Sequence, residues 1–599
     1  MPDTIINRRD LEFQVFEVLD TDALTTRARY ADHTRETFVA ALDTAHTIAT
    51  EKFAPHNRKA DANEPLFDGQ RVTMIAEVKE AVQAFSDAGL IAASHDYELG
   101  GMQLPETIAQ ACLSLFKSAN VATASYPGLT IANANVISRF GSPVQKKKYL
   151  PALLSGRFFG TMALTEPQAG SSLSDITTTA APNPDGTYSI RGNKIFISGG
   201  DHELTENIVH LVLAKIPGGA PGVKGISLFI VPKFLVNDDG ATGPRNDVTL
   251  TGLIHKMGWR GTTSTMLSFG EKGQCIGELV GEPHKGLSYM FHMMNEARIG
   301  VGMGAVMLGY RGYLAALDYA RGRPQGRAPG AKNALEPQVK LIEHADVRRM
   351  LLAQKAYVEG GYGLCLYTSW LVDEQSTGET ETARHEAGLL LDLLTPVAKS
   401  WPSQWCLEAN NLAIQVHGGY GYTREYSVEQ FYRDNRLNPI HEGTHGIQAL
   451  DLLGRKIMME NGAALELLSR HMHDSIVLAS AYEQLQPHAR ALKAAFADIQ
   501  NTVQHIKSAL ADDAVLGLAN ASVFLESFGH VVIAWIWLRH AVAAAEGLAK
   551  NNPVDADFYQ GKLRVCRWFY QWELPKTEAQ NKLLRSLDDS TLTMEAAWF

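Results

Sequence analysis

The feature of this sequence that most constrains the fold is a block of short β-branched segments, residues 161–283, set between two regions of helical periodicity. Gly, Pro or Asn bounds these segments, which span 187–190, 194–198, 208–214, 226–231, 248–254 and 263–269. Closely spaced strands without helices between them predict a compact antiparallel barrel or sandwich rather than a parallel βαβ sheet. The predicted fold is therefore mainly α, with a β-barrel or sandwich middle domain.

The region before residue 160 has the pattern of amphipathic helices. Apolar residues recur every three to five positions over 38–53 and again over 74–85, and Gly89 provides a stop signal. Gly100-Gly101 and Tyr126-Pro127-Gly128 are predicted to be loops, and Pro151 is predicted to close a helix.

Helical periodicity returns after residue 283. We expect loops at 322–337 and 373–382, the second exposed because it is polar and charged. A chain of 599 residues is too long for one core. We therefore predict an N-terminal helical domain (1–160), a middle β domain (161–283), a helical bundle (284–460) and an additional C-terminal helical domain (461–599).

The C-terminal region is rich in aromatic residues, which indicate either a core or, less favoured, a face for a membrane surface or a partner. They are Trp535, Trp537, Trp568, Phe569 and Trp572.

Composition excludes several classes of function. The net charge of −10 argues against nucleic acid as a partner, and 45% hydrophobic with 20% charged residues is typical of a soluble globular protein. The five cysteines lack C-x-x-C spacing, so neither a disulfide framework nor a metal site is predicted. Residues 1–20 do not resemble a leader, and the apolar run 531–538 is too short to span a bilayer. We expect a cytoplasmic protein with no transmembrane segment.

Two motifs of familiar chemistries do not have the required context. Gly300-Val301-Gly302-Met303-Gly304 resembles a dinucleotide loop, but it lies within a helical pattern and indicates close helix packing instead. Ala169-Gly170-Ser171-Ser172 lacks the spacing of a nucleophilic serine.

A carboxylate in a turn is the main catalytic candidate. Glu442 lies between Pro439, which ends one segment, and Gly443, before an apolar helix predicted at 447–457. A glutamate at a helix start is most often only a favourable partner of the helix dipole. Glu442 is therefore a candidate base that needs support from other segments.

Three further turns give that support. The segments 165–172, 196–200 and 415–421, followed by Ile440-His441-Glu442-Gly443-Thr444, strongly resemble the acyl-CoA dehydrogenase family over residues 75–460. The full length resembles the larger subgroup with an extra helical C-terminal domain, which includes methylthiopropionyl-CoA dehydrogenases. Segments 204–214 and 345–351 are particularly similar to that subgroup.

The resemblance implies an FAD site. In it, Phe196 would pack against the flavin ring and Ser198 would bond flavin N5, although the family more often has Trp and Thr there. Arg323 would reach the FAD pyrophosphate of a neighbouring subunit, which implies a homodimer. The full predicted set is Met162, Leu164, Thr165, Gly170, Ser171, Phe196, Ser198, Arg323, Gln325, Gln415, Gly418, Gly419 and Thr444.

The resemblance also gives Glu442 a reaction, removal of the α-proton of an acyl-CoA. Some relatives carry the base on an earlier helix, but the matching position here is Ala297, and Glu296 is one residue away. The predicted substrate-binding residues are Ser171, Arg298, His441, Gly443 and Arg455. Arg298 and Arg455 are equally consistent with ion pairs, and His441 either tunes the base or, as we favour, lines the pocket.

The implied function is FAD-dependent dehydrogenation of a medium- to long-chain fatty acyl-CoA to trans-2-enoyl-CoA in β-oxidation. Electrons would pass to an electron-transfer flavoprotein. The alternatives are a 3-methylthiopropionyl-CoA dehydrogenase, an acyl-CoA oxidase and a catalytically silent acyl-CoA-binding scaffold. A flavin monooxygenase of this fold would not be expected to keep the base.

Overall fold

The computed structural model describes residues 5–328, 330, 333, 335–550 and 554–599. The chain divides into two compact units. The first consists mainly of Thr25–Ala297, and the second of Ile6–Leu24 with Arg298–Phe599. Of the predicted loop 322–337, residues 329, 331, 332 and 334 lie outside the described part of the chain.

The first unit begins with helices, as predicted. Phe38, Leu42 and Ala45 are fully buried along one face of the first long helix, which explains the apolar spacing there. The helices up to residue 154 are α1 (Arg8–Glu12), which belongs to the second unit, and α2 (Arg35–Ile48), α3 (Asn57–Ala62), α4 (Ala76–Asp87), α5 (Glu106–Phe140) and α6 (Pro143–Leu154).

Two predicted helix breaks in this region are wrong. Tyr126 and Pro127 are buried inside α5, whose backbone departs from helical geometry only at Asn120. Pro151 lies inside α6, which continues to Leu154. A proline removes one helix hydrogen bond, and tertiary packing of the flanking residues outweighs that loss here.

The first unit contains one large, mostly antiparallel sheet and two separate two-stranded sheets, β1 with β2 and β8 with β9. The strands are β1 (Leu66–Phe67), β2 (Val72–Thr73), β3 (Phe158–Ala163), β4 (Thr179–Pro182), β5 (Tyr188–Ser198), β6 (Asn207–Lys215), β7 (Ile226–Pro232), β8 (Phe234–Val236), β9 (Thr242–Arg245), β10 (Val248–Leu253), β11 (Ser264–Phe269) and β12 (Ile276–Leu279). The main sheet has the order β10-β11-β5-β12-β7-β6-β3, with β4 beside β5 and β6. Ile190, Val212, Phe229 and Leu267 are among its buried core residues.

The sheet differs from the prediction in two respects. The segments 187–190 and 194–198 form one continuous strand, β5. The sheet is not wholly antiparallel, because β3 runs parallel to β6, with Phe158 opposite Asn207 and Ala163 opposite Val212. The chain forms β4 and β5 between β3 and β6. It therefore returns to the end of the sheet at which β3 began before it enters β6.

The second unit contains the long helices of the bundle. They are α7 (Gly286–Gly322), in which the boundary between the units falls, α8 (Ala345–Thr377), α9 (Glu381–His417), α10 (Val428–Asn435) and α11 (His445–Gly454). Gly300–Gly304 lie within α7, as predicted. The predicted exposed loop 373–382 is shorter than expected, because α8 continues to Thr377 with Asp373 buried and α9 begins at Glu381. Only residues 378–380 connect the two helices, and residues 379–382 are exposed as predicted.

The C-terminal helices of this unit are α12 (Ala463–Ser480), α13 (Gln486–Asp512), α14 (Ala514–Leu518), α15 (Ala521–Ala549), α16 (Ala556–Trp572), α17 (Lys576–Ser586) and α18 (Ser590–Thr593). The apolar run 531–538, which is too short to span a bilayer, is only part of the longer apolar helix α15. This helix is long and apolar enough to cross a membrane by composition, yet 83% of its most apolar window is buried within the protein. Trp535, Trp537, Trp568 and Phe569 are core residues, and Trp572 is half exposed.

Candidate active site

Glu442 lies in the short connection between α10 and α11. Its backbone is left-handed, with φ of 52°, and Gly443 follows with φ of 87°. A non-glycine residue in this region is strained by about 1–3 kcal/mol and persists only where its surroundings fix it. A side chain at position 443 would also meet Nε2 of Gln448 at 2.4 Å from its Cβ.

A series of hydrogen bonds between buried side-chain amides holds this turn in place. Asn438 donates to Oδ1 of Asn435 at 2.9 Å, and Asn435 donates to Oδ1 of Asn410 at 2.7 Å. His441 Nε2 lies 3.0 Å from Oδ1 of Asn438, and Gln448 donates to the carbonyl of Glu442 at 3.1 Å. Local order of the turn therefore comes from side chains on α9, α10 and α11.

Sequence reasoning missed one residue at this turn. Lys399, fully buried on α9, donates to the carbonyls of Asn438 at 2.8 Å and of Gly443 at 2.7 Å. The available signal was a lysine inside a long apolar helical pattern, 394–406.

Burial and two nearby cations have opposite effects on the pKa of Glu442. Burial raises the pKa of the Glu442 carboxyl above its ordinary value, while Arg298 and Lys399 lower it, and burial prevails. A carboxyl group with a raised pKa inside a protein is suited to proton transfer near neutral pH.

Both predicted substrate arginines form ion pairs. Arg298 is buried and bonds Asp451 at 3.0 Å, and the more exposed Arg455 bonds the same carboxylate at 2.7 Å. The ion-pair alternative is thus present in the structure. Binding of CoA by these arginines stays a prediction.

In the first unit, a buried ion pair anchors the predicted flavin-facing turn. Glu166 accepts hydrogen bonds from Thr177, Thr178 and Lys194, and Lys194 also donates to the carbonyl of Leu164 at 2.9 Å. Burial opposes ionisation of Glu166, but Lys194 and these hydrogen bonds lower its pKa to about 2. The pair fixes the backbone at Leu164, and Gly170 and Ser171 are exposed at the tip of the turn.

The same unit presents an exposed aromatic ring near that turn. Phe196 has φ of 59°, and its side chain is 60% exposed although it lies in the central strand β5. Main-chain pairing of Ile195 with Thr165 at 2.9 Å joins β5 to the turn. Met162 at the end of β3 and Ser198 are half-buried in this region. The structure thus gathers these predicted flavin contacts within one unit.

In the second unit, the predicted pyrophosphate residues lie on an exposed edge. The guanidinium of Arg323 lies 5.7 Å from the ring centre of Tyr420, which brings the end of α7 to the turn after α9. Gln325, Gln415, Gly418 and Gly419 are exposed, and Gly418 has φ of 62°. Thr444 caps α11 through Ile447 at 3.4 Å.

Glu296, next to the alternative base position, is bound elsewhere. Asn135 donates to its carboxylate at 2.7 Å within the first unit. Within the described residues, no group of three His, Cys, Asp or Glu side chains is arranged to hold a metal ion.

Comparisons with known proteins identify the family. Models of the acyl-CoA dehydrogenase N-terminal, middle and C-terminal domains match residues 35–157, 161–271 and 284–458, and an acetyl-CoA dehydrogenase C-terminal-like model matches 468–595. The chain belongs to the acyl-CoA dehydrogenase family.

Relatives in this family match over nearly the full length. A 3-methylmercaptopropionyl-CoA dehydrogenase of Ruegeria pomeroyi is 36% identical over 98% of both chains. A broad-specificity linear acyl-CoA dehydrogenase of Mycobacterium tuberculosis is 33% identical over 99% of both. An acyl-CoA dehydrogenase of Bacillus anthracis, solved with FAD, superposes with a TM-score of 0.73 at 21% identity, covering 96% of this chain and 93% of that one.

This acyl-CoA dehydrogenase is flavin-dependent, and its residues fit FAD. An aromatic ring held outward by strained backbone suits stacking on a flavin, and an arginine beside glycine-rich backbone suits a pyrophosphate. The individual contacts assigned to residues 162–198, 323–325 and 415–444 stay predictions.

Proposed function

We propose that this acyl-CoA dehydrogenase uses Glu442 as the base that removes the α-proton of an acyl-CoA thioester, giving a trans-2-enoyl-CoA. The observation that carries the proposal is a half-buried carboxyl group on a turn that hydrogen bonds from buried side chains hold in place. Partial burial also raises the pKa of this carboxyl group. Rigid placement matters because proton transfer requires the base within hydrogen-bond reach of the α-carbon.

The residues at the turn can also stabilise the charge that develops on the thioester oxygen. Among the described residues, no acceptor is bonded to the main-chain N–H of Glu442, so this donor is available to a substrate carbonyl. Bound FAD supplies the acceptor for the hydride that leaves the β-carbon. Glu442 then carries the proton until the product departs.

For the substrate we favour medium- to long-chain straight acyl groups, as in fatty acid β-oxidation. The relationship to a broad-specificity linear acyl-CoA dehydrogenase supports this choice. The second candidate is 3-methylthiopropionyl-CoA, which the 36% identity to the Ruegeria pomeroyi enzyme favours. This substrate has the same α- and β-carbons, so Glu442 would act in the same way.

The proposal extends to partners and location. We assign an electron-transfer flavoprotein as the acceptor of the electrons. In the alternative, the protein is an acyl-CoA oxidase and oxygen accepts them. The exposed edge with Arg323 and Gly418 supports a homodimer in which this edge meets the partner's cofactor. All five cysteines are free and buried, which supports a reducing, cytoplasmic setting.

The experiment is an anaerobic series of acyl-CoA substrates from short to long chain, with 3-methylthiopropionyl-CoA included. The rate of flavin bleaching ranks the substrates, and mass spectrometry of the product identifies the trans-2-enoyl-CoA. Bleaching fastest with medium or long chains supports the favoured substrate, and fastest with 3-methylthiopropionyl-CoA supports the second. Absence of any enoyl product would refute the proposed reaction, and stoichiometric peroxide in air would favour the oxidase.

A further inference from the structure

Lys399 contacts the turn of Glu442 from α9. Its ammonium donates to the carbonyls of Asn438 and Gly443, which lie four residues before and one residue after Glu442. One buried side chain therefore binds the main chain on both sides of the candidate base.

The turn needs such donors. A buried carbonyl without a hydrogen-bond partner costs free energy, and helix ends leave carbonyls without partners inside the helix. Asn438 is fully buried just after α10, and Gly443 is half-buried just before α11. Because both carbonyls share one ammonium, movement of either end of the turn would break a charge-assisted bond.

Lys399 differs from other buried lysines of the chain in its partners. Lys194, Lys233 and Lys456 each bond a carboxylate, at 2.9, 2.7 and 2.8 Å. Among the described residues, the two acceptors of Lys399 are main-chain oxygens instead. The charge of Lys399 is therefore not paired with a hydrogen-bonded carboxylate, and it lowers the pKa of Glu442.

We infer that Lys399 is a positioning residue of the reaction: it holds the Glu442 turn through two carbonyls and favours the ionised carboxylate with its charge. The inference rests on the proposed role of Glu442 as the base. Among the described residues, Lys399 donates to main-chain carbonyls on both sides of Glu442, so its effect on the reaction acts through Glu442.

The charges around Lys399 agree with this role. Burial lowers the pKa of Lys399 to about 7, Glu442 raises it, and Arg298 lowers it. His445 at the start of α11 also faces this group, since burial and the charge of Lys399 lower its pKa, while Glu526 on α15 raises it. The pH dependence of the turn thus involves Lys399, Glu442, Arg298, His445 and Glu526.

The test compares Lys399→Met, which removes donor and charge, with Lys399→Gln, which keeps an amide donor without the charge. Lys456→Met is the matched control, because Lys456 is equally buried but bonds Asp392. Each FAD-loaded variant is assayed for anaerobic bleaching rate across pH, and for hydrogen exchange in peptides covering 438–444.

We expect Lys399→Met to slow bleaching by ~10- to 100-fold, because the base is misplaced. The acidic limb of its pH profile should move up by about one pH unit, because an opposite charge no longer favours the ionised carboxylate. Exchange over 438–444 should be faster. Lys399→Gln should recover part of the rate and keep the shifted limb, and Lys456→Met should resemble wild type.

An unshifted limb in Lys399→Met or Lys399→Gln, or the same shift in Lys456→Met, would overturn the inference. If Lys399→Met does not load FAD, the limb of Lys399→Gln decides. Glu442→Gln separates the two levels: bleaching retained in that variant refutes the proposed base, whereas bleaching lost there but unchanged in both Lys399 variants refutes only the role of Lys399.

Discussion

At the scale of single residues, buried charges fix the parts of the chain to which we assign chemistry. Glu442 occupies a left-handed conformation between two carbonyls held by Lys399. In the other unit, Glu166 and Lys194 hold the turn at Leu164. Such groups are costly to bury and are retained where each has a hydrogen-bonded role. Glu442 could be proposed from the sequence. For Lys399 the sequence indicates only a lysine in an apolar helical pattern, because its acceptors are main-chain atoms distant in the chain.

The raised pKa of Glu442 sets the direction of the pH dependence. Below that pKa the carboxyl is protonated and cannot accept the α-proton, so bleaching should be slow. The rate should rise with pH through a midpoint above the ordinary glutamate value of 4.5. Stopped-flow bleaching rates at saturating acyl-CoA measure this midpoint. A rate already maximal at the ordinary value would show that burial does not govern the group.

Removing Lys194 tests the buried pair of the flavin-facing turn. Lys194→Met leaves the Glu166 carboxylate buried without its cation, so unfolding free energy should fall by about 3–5 kcal/mol and FAD should be lost more readily. Urea unfolding followed by flavin fluorescence measures both. The double variant Lys194→Met with Glu166→Gln should be less destabilised than the single one, because no charge is stranded. Equal stability of wild type and Lys194→Met would contradict this interpretation.

At the scale of elements, local patterns predicted most helices and strands but not their breaks or pairings. The buried positions of α2 and the strands β6, β7, β10 and β11 follow from apolar spacing and β-branched composition. Pro127 and Asp373 misled because tertiary burial overrides a local preference for a break or for exposure. The parallel pairing of β3 with β6 depends on contacts about fifty residues apart, which no local pattern encodes.

The glycines of α7 provide a test of helix packing. A Cβ at Gly302 would lie 1.9 Å from the carbonyl oxygen of Ala398, next to Lys399 on α9, whereas one at Gly304 would meet nothing within 4 Å. Gly302→Ala should therefore destabilise the protein by about 1–3 kcal/mol through overpacking. Gly304→Ala should be neutral or stabilise it by up to about 1 kcal/mol through helix propensity. Thermal unfolding compares the two, and equal effects would refute the close approach.

At the scale of the whole molecule, the second unit combines an N-terminal segment with the C-terminal helices. Lys562 on α16 bonds Asp10 on α1 and Glu359 on α8, and all three residues are buried. Tyr310 donates to Asp10 at 2.8 Å. The additional C-terminal helices, with the buried α15, thus form a core with the bundle. The sequence alone was consistent with either a core or a binding face.

Lys562→Met tests whether this cluster ties the chain ends together. Asp10 would be left buried without its bonded cation, while Glu359 would keep its ion pair with Lys355, so unfolding free energy should fall by about 3 kcal/mol. Lys285→Met is the control: Lys285 and its partner Glu282 are both exposed, so its loss should leave the unfolding free energy almost unchanged. Chemical unfolding measures both. Similar losses in the two variants would contradict a special role for the cluster.

The most direct test of the central claim is anaerobic mixing of FAD-loaded Glu442→Gln with an acyl-CoA that bleaches the wild type. The variant should bind FAD and acyl-CoA but fail to bleach, because glutamine occupies the same volume and cannot accept the α-proton. Bleaching at a rate near that of wild type would contradict the assignment of Glu442 as the base.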